Sequence, residues 1–348
     1  EAEAGRVSVP LHALYCVECL ACMGEYVECL GAVLKDKGVE VCLALLEEWR
    51  PHPRALAELL RLCCSLLAHK RFAELFVARG GAPLLLALPS HDAQIADGVS
   101  RCLFGISSIP DALDRLCLQP APICTAAVGL ALSHIASGLD PARRNSALFL
   151  AETLAHRSML APFGDLGGPG LVLQLLSATR SFERRSEAVV TYHLCLVLRA
   201  YFRAHLVLLV EARRGGAVGA QNAIDTSRES LDRAWAHCKE DRALCLWLAC
   251  EGWQIADAFI SQGGVEVILR FAHPSAIANY HGETVASLFE VLQIVTLAQT
   301  CHGRVRAREV IAAALSAADA HKSHDAEVAA GALQVVANLV CLPEGLRE

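Results

Sequence analysis

The chain has 348 residues, 54% of them hydrophobic, 20% charged and only 5% aromatic, with a formal net charge of −6. That balance, with a pI of about 6.2, gives no global attraction to nucleic acid or to an anionic membrane surface. A mean hydropathy of +0.38 raises the question of a membrane span. On sequence the two best stretches are read as failing: 116–139 contains Gln119, Pro120, Pro122 and His134, and 192–210 carries Arg199, Arg203 and His205, where a span needs about 20 clean apolar residues.

The sequence opens on Glu1 without a methionine or a secretory signal, and it is expected to be a piece of something longer. Residues 1–14 are read as a tail and 15–343 as one folded region. Within that region a glycine four times closes one apolar helical pattern and opens the next, at Gly38, Gly80, Gly167 and Gly263. The last three are doubled and follow Phe76, Phe163 and Phe259 by four residues. The first interval is 42 residues, and the next two, 87 and 96, are each about twice that. A recurrence near 40–47 residues with only helical patterns between is the signature of armadillo or HEAT units. Glycine suits such a junction because a helix end commonly needs a left-handed residue, which costs other residues about 1–2 kcal/mol.

Filling the double intervals at their midpoints places junctions near Pro120–Pro122 and Gly215–Gly216, and a further one is expected near Arg306. Pro110-Asp111 and Asp140-Pro141 read as helix starts. The longest helical pattern runs from Ser186 to Arg214, which at 1.5 Å per residue spans about 42 Å and is long enough to brace several units. Residues 215–227 read as a flexible loop, Ala307 to Pro343 as a closing helical pair, and 344–348 as a tail. The fold class is therefore all-α, an armadillo/HEAT-like α-solenoid of about six or seven repeats.

Candidate chemistry is thin. Cys16, Cys19, Cys22 and Cys29 have metal-like spacing, but they lie in an apolar helical run, so they are read as core thiols. The sixteen cysteines point to a reducing compartment without a disulfide framework. His321, His324 and Asp325 are read as a solvated helix start rather than a metal site. His193 with Cys195, and His237 with Cys238, lack a carboxylate that the sequence places beside them. Catalytic, metal and cofactor residues are thus expected to be none. Arginine pairs recur near predicted helix ends, at Arg143-Arg144, Arg184-Arg185 and Arg213-Arg214, with the trio Arg304, Arg306 and Arg308. Cations in the first turn of a helix oppose its dipole by about 0.3–1 kcal/mol each. That cost, at Arg143 and Arg144, points to an acidic partner along one ridge, with Arg184, Arg185, Arg304, Arg306 and Arg308 as further candidate contacts.

The stretch "AHKRFAELFVARGGAPLLLALP" from Ala68, "GVSRCLFGISSIPDALDRLC" from Gly98, "LRAYFRAHL" from Leu198 and "HDAEVAAGALQVVANLVCLP" from His324 together resemble the armadillo-like region of the Vpr-binding protein family. "GEYVECL" from Gly24 fits that family's opening helices. The family comprises cullin-4-associated substrate receptors, and it places a LisH motif and a WD40 propeller after the armadillo region. No Trp-Asp dipeptide occurs in this sequence, so the adaptor-docking box of the propeller is not in it. The resemblance implies a non-enzymatic arm of a cullin-4 ubiquitin ligase receptor, located in the nucleus, the cytoplasm or both. Its expected partners are ligase components and substrates, with no specific nucleic acid and no membrane, and any oligomer would form through domains absent from this chain. It also brings a proposed serine/threonine kinase activity, for which Lys70 is the least implausible residue. No G-x-G-x-x-G precedes Lys70, and His156-Arg157 is followed by Ser158 where a catalytic aspartate is needed. A generic armadillo adaptor is the other alternative; the peptide-gripping asparagines such adaptors use have no repeat register here, at Asn145, Asn222, Asn279 and Asn338.

Overall fold

The computed structural model describes residues 9–89, 91–179, 185–213, 221–272, 282–303, 305, 307–321, 326–341 and 343. Helix is the only extended regular structure among them; the sole strand-like feature is one antiparallel bridge between His156 and Ala223. The chain divides into two compact units, up to Thr153 and from Leu154 onward. Each follows the armadillo/HEAT-like solenoid plan.

The first unit opens with α1 (Leu11–Met23). Three triplets follow: α2 (Val27–Lys35), α3 (Gly38–Glu48) and α4 (Pro53–Leu67); α5 (Lys70–Ala78), α6 (Gly81–Leu86) and α7 (Ala93–Ser107); α8 (Pro110–Cys117), α9 (Ala121–Ala136) and α10 (Asp140–Thr153). The third helix of each triplet packs on the third helix of the next, so α1, α4, α7 and α10 form a ladder. Leu59, Leu60, Leu67, Ile95, Val99, Ile106, Phe149 and Leu150 fill it.

The second unit holds α11 (Arg157–Asp165), α12 (Gly168–Ala178) and α13 (Arg185–Arg213), then α14 (Arg228–Glu240) and α15 (Arg242–Cys250). After these come α16 (Gln254–Ser261), α17 (Gly264–Ala272) and α18 (Gly282–Val295), and a closing pair, α19 (Ala307–His321) and α20 (Ala326–Val340). Its ladder is α13 on α18 on α20. The long helix lies within one residue at each end of its expected bounds. The 96-residue interval, however, is one triplet with an elongated third helix and an inserted pair, α14–α15, rather than two repeats. Residues 215 and 216 lie outside the described residues. The described part of the expected flexible loop is pinned: Asn222 accepts a hydrogen bond from the Ser158 amide (2.9 Å), and Ile224 N–H donates to the Ala155 carbonyl (2.7 Å).

The doubled glycines have a two-part explanation. Gly80, Gly167 and Gly263 have φ of 86°, 73° and 80°, the left-handed region. The second glycine answers a different constraint. A Cβ on Gly81, Gly168 or Gly264 would stand 2.2, 2.4 or 2.3 Å from the ring of the phenylalanine five residues earlier. Gly38 belongs with these second glycines: a Cβ there would lie 2.4 Å from Val33, and the left-handed position before it is taken by Lys37 at φ 58°. Sequence reading had assigned Gly38 the left-handed role.

By length and composition alone, Glu187–Arg213 and Arg242–Ser261 are apolar enough to cross a membrane. This corrects the reading that the charges in the first disqualify it. In the fold 61% of the first stretch is buried by protein, and the second breaks at Gly252, where φ is +78°.

Replacing Gly81 or Gly168 by alanine is expected to force the ring aside and destabilise the chain by about 1–3 kcal/mol. Gly80→Ala meets open space and is expected to cost only the left-handed penalty, about 1–2 kcal/mol. Urea unfolding midpoints of the three variants give the ordering.

Candidate protein-interaction grooves

Each unit carries an open groove. In the first unit α1, α4 and α7 enclose about 480 Å³, floored by Leu60 and Gly98 and walled by Glu18, Arg54, Glu58, Arg61, Asp97 and Arg101. Two of the arginines are neutralised on their own helices, Arg61 by Glu58 and Arg101 by Asp97, each at 2.9 Å. Arg54 is exposed and makes no ion pair among the described residues. In the second unit a groove of about 330 Å³ is lined by Lys239 and Glu240 of α14, Thr296, and Gln334 and Asn338 of α20. Both surfaces are open, mixed in charge and shallow, which suits a protein segment better than a small molecule.

Two asparagines do share a structural position. Asn145 on α10 donates to Asp97 (3.3 Å) and Ser100 (3.2 Å) of α7, and Asn338 on α20 donates to the Gln293 carbonyl (3.0 Å) and Thr296 (3.1 Å) beside α18. Each amide ties a third helix back to the one before it, so its donors are consumed inside the fold. Asn222 pins residues near 158, and Asn279 lies outside the described residues.

Of the arginines expected along one ridge, Arg143 is taken up within the fold. Arg143 turns inward: its Nε donates to the Ile135 carbonyl at the end of α9 (3.0 Å), and Nη1 lies 3.8 Å from Asp140. The dipole cost is thus offset within the chain, because a guanidinium at the C-terminal end of α9 is favourable. Arg270 does the same for the last carbonyls of α12, Leu176 and Ser177. Arg144 and Arg308 are exposed. Arg184, Arg304 and Arg306 lie outside the described residues, as does the side chain of Arg185.

The cysteine expectation is overturned at the start of the chain. Cys16, Cys19 and Cys22 are exposed and Cys29 half-buried. The reason is positional: among the described residues α1 has a third-helix neighbour on one side only, so Val17 is its single buried residue. No group of three or more metal-ligating side chains converges among the described residues. His324 and Asp325 lie outside them, and so does the side chain of His321. Burial pushes the Cys195 thiol far up and the Cys238 thiol to about 12, which suppresses the thiolate a nucleophile needs. Lys70, the first residue of α5, is exposed and paired with Asp111 of α8.

The segment 198–206 proves to be packing. Tyr201 meets the ring of Phe163 at 5.5 Å and Phe202 meets Phe259 edge-on at 5.1 Å, so α13 grips both junction phenylalanines of its unit. On its other side Arg203 makes a two-pronged ion pair with Glu290 of α18. Sequence reading saw this segment only as specific, because nothing local reveals which helices will flank it.

Comparisons with known proteins bear on this arrangement. Residues 191–347 match the family model described as the DCAF1 helical domain, and residues 7–120 the Mahjong helical domain. The chain is 32% identical over 378 aligned positions to the DDB1- and CUL4-associated factor homolog 1 of Arabidopsis thaliana, covering 97% of this chain and 20% of that protein. The chain belongs with the DCAF1-like, Vpr-binding protein family. The mahjong protein of Drosophila melanogaster is 23% identical over 97% of this DCAF1-like chain and 25% of its own length. The chain thus spans a fifth to a quarter of these two relatives. Among solved structures, the crystal structure of an engineered protein superposes with a TM-score of 0.56 at 17% identity, over 87% of this chain and 96% of that one, a likeness of fold.

Asn145→Ala is expected to remove two hydrogen bonds that tie α10 to α7, one of them to the Asp97 carboxylate, and to destabilise the first unit by about 1–3 kcal/mol. Hydrogen exchange should show the loss along α7 and α10. A pH effect is expected from His205, whose imidazole burial lowers from 6.5 to about 4. The unfolded state then accepts a proton that the folded state refuses. The stabilisation is complete above pH 6.5, declines as pH falls from there toward 4, and amounts to at most about 3 kcal/mol. His205→Leu should flatten the pH dependence of the unfolding midpoint across that window.

Proposed function

We propose that this chain is the helical scaffold region of a substrate receptor for a cullin-4 RING ubiquitin ligase, and that it recruits substrates or supports assembly without catalysing a reaction itself. The observation that carries the reading is the 32% identity along nearly the whole chain to a protein named as DDB1- and CUL4-associated. The two grooves supply a physical means, since they display alternating charge over an apolar floor on helices held rigid by their ladders. Arg54, Arg144 and Arg308 are the exposed cations offered as partner contacts. The expected partners are ligase components and substrate proteins, in the nucleus, the cytoplasm or both. A specific nucleic-acid or membrane role is not part of the proposal, which the net charge of −6 supports.

A generic peptide-gripping adaptor is disfavoured because Asn145 and Asn338 spend their amides on neighbouring helices. Phosphoryl transfer finds no support in the surroundings of Lys70, whose partner is the Asp111 carboxylate rather than an open phosphate site.

The test uses the whole protein restored to cells that lack it. Arg54→Glu with Arg144→Glu is expected to lower the capture of a subset of partners about fivefold or more, to reduce their ubiquitin-modified peptides, and to leave DDB1 capture unchanged. Identical partner and ubiquitin profiles after removal of this entire helical region would sink the proposal. Lys70→Ala is expected to change neither nucleotide binding nor phosphate transfer.

A further inference from the structure

The first groove contains a thiol that neither the receptor reading nor the fold requires. Helices α4 and α7 run side by side in a constant register of 38 residues. Leu60 faces Gly98, where a Cβ would stand 2.8 Å from the Leu60 Cβ, and Leu67 faces Gly105, where the same distance is 3.5 Å. Between these two contacts, at the same register, Cys64 faces Cys102. The two thiols are close enough to influence each other's ionisation, and the Cys102 Sγ lies 3.6 Å from the Leu60 carbonyl, one turn before Cys64. Backbones held this close bring facing Cβ atoms into the range of about 3.5–4.5 Å that a disulfide needs.

The pair is asymmetric. Cys64 is half-buried and lines the 480 Å³ groove, whereas Cys102 is fully buried behind it. We propose that Cys64 and Cys102 form a peroxide-responsive dithiol, in which the groove-facing thiol is oxidised by a hydroperoxide and then joined to its buried partner, stapling α4 to α7. The neighbouring Cys102 side chain is the main influence that holds the Cys64 thiol below its usual range, opposed by burial, helped by Arg101, and opposed by Asp97 and Glu25. In the first step the Cys64 thiolate attacks one peroxide oxygen. The S–O bond forms, the O–O bond breaks, and the leaving alkoxide or hydroxide takes a proton to become an alcohol or water. Cys64 is then a sulfenic acid, oxidised by two electrons. In the second step the Cys102 thiol, which Cys64 and burial hold well above its usual range, is deprotonated only as it attacks: the S–S bond forms, the Cys64 S–O bond breaks, and the S–H proton passes to the departing hydroxide to give water. Overall, two thiols and one hydroperoxide give one disulfide, one alcohol (water, from hydrogen peroxide) and one water.

Cys42 and Cys63 form the other buried thiol pair here. Neither lines the groove, so Cys64 is the point of entry. The proposal is independent of ligase membership, since it rests on α4 and α7 alone.

The experiment treats the full chain with hydrogen peroxide, blocks the remaining thiols with iodoacetamide and maps peptides without reduction. The expected product is a Cys64–Cys102 linked peptide that dithiothreitol reverses. It should form about threefold or more faster than oxidation of the exposed Cys250. In Cys102→Ser the sulfenic acid on Cys64 should be captured by dimedone with no linked peptide, and in Cys64→Ser neither product should form. Oxidation of Cys64 no faster than Cys250, or a linkage of Cys64 to Cys63 or Cys22 instead, would overturn the proposal. Should both serine variants misfold, the time course and linkage map of the unmodified chain decide alone.

Discussion

Three of the helix junctions turn on a phenyl ring lying where a Cβ would otherwise be. The ring of Phe76, Phe163 or Phe259 sits on the backbone of the second glycine of its pair, and the first glycine supplies the left-handed bend that brings the next helix under it. The contact sets the angle between the first and second helices of a triplet, and thereby where the third helix emerges. Since every third helix must lie against the one before it, an error at this junction would displace the whole ladder. Valine serves at Val33, where Lys37 takes the strained position. The requirement is thus for an apolar body against bare backbone rather than for an aromatic ring as such.

The ladders determine which polar groups remain for partners. Third helices approach closely, and a buried polar group left unpaired costs about 1–3 kcal/mol, so polar side chains at the contact are drawn into it. Asn145, Asn338 and Arg203 are used in that way, and Arg143 and Arg270 serve as caps for neighbouring helices. Their charge or amide looks available in a sequence and is not. Among the groups that do face solvent, Arg54 carries no distinguishing local pattern, and nothing local separates Arg144 from its inward-turned neighbour Arg143.

Closeness of packing also explains the behaviour of the cysteines. Small residues at Gly98, Cys102 and Gly105 let α7 approach α4, and the same approach places one thiol against another. Free cysteine commonly serves as a small hydrophobe in such cores. At the outer helix α1, where only Val17 is covered, the same residue type stands exposed at Cys16, Cys19 and Cys22. Burial of a cysteine here depends on the number of helical neighbours and not on the apolar character of its own run.

What the sequence by itself determined is the helical class, the glycine junctions at 80, 167 and 263, and the long helix. These depend on local causes: apolar periodicity, prolines at helix starts, and glycines where φ must be positive. The resemblance carried by residues such as 198–206 was legible too, although its physical content, two rings gripping Phe163 and Phe259, was not. Only the tertiary structure decided that the 96-residue interval is one enlarged triplet, that Arg143 is a cap, and that Cys64 faces Cys102 across a register of 38 residues. Each of those outcomes depends on which helix lies beside which. Partners across a ladder contact are 45 residues apart at Asn145–Ser100 and 87 at Arg203–Glu290, and no local pattern encodes their pairing.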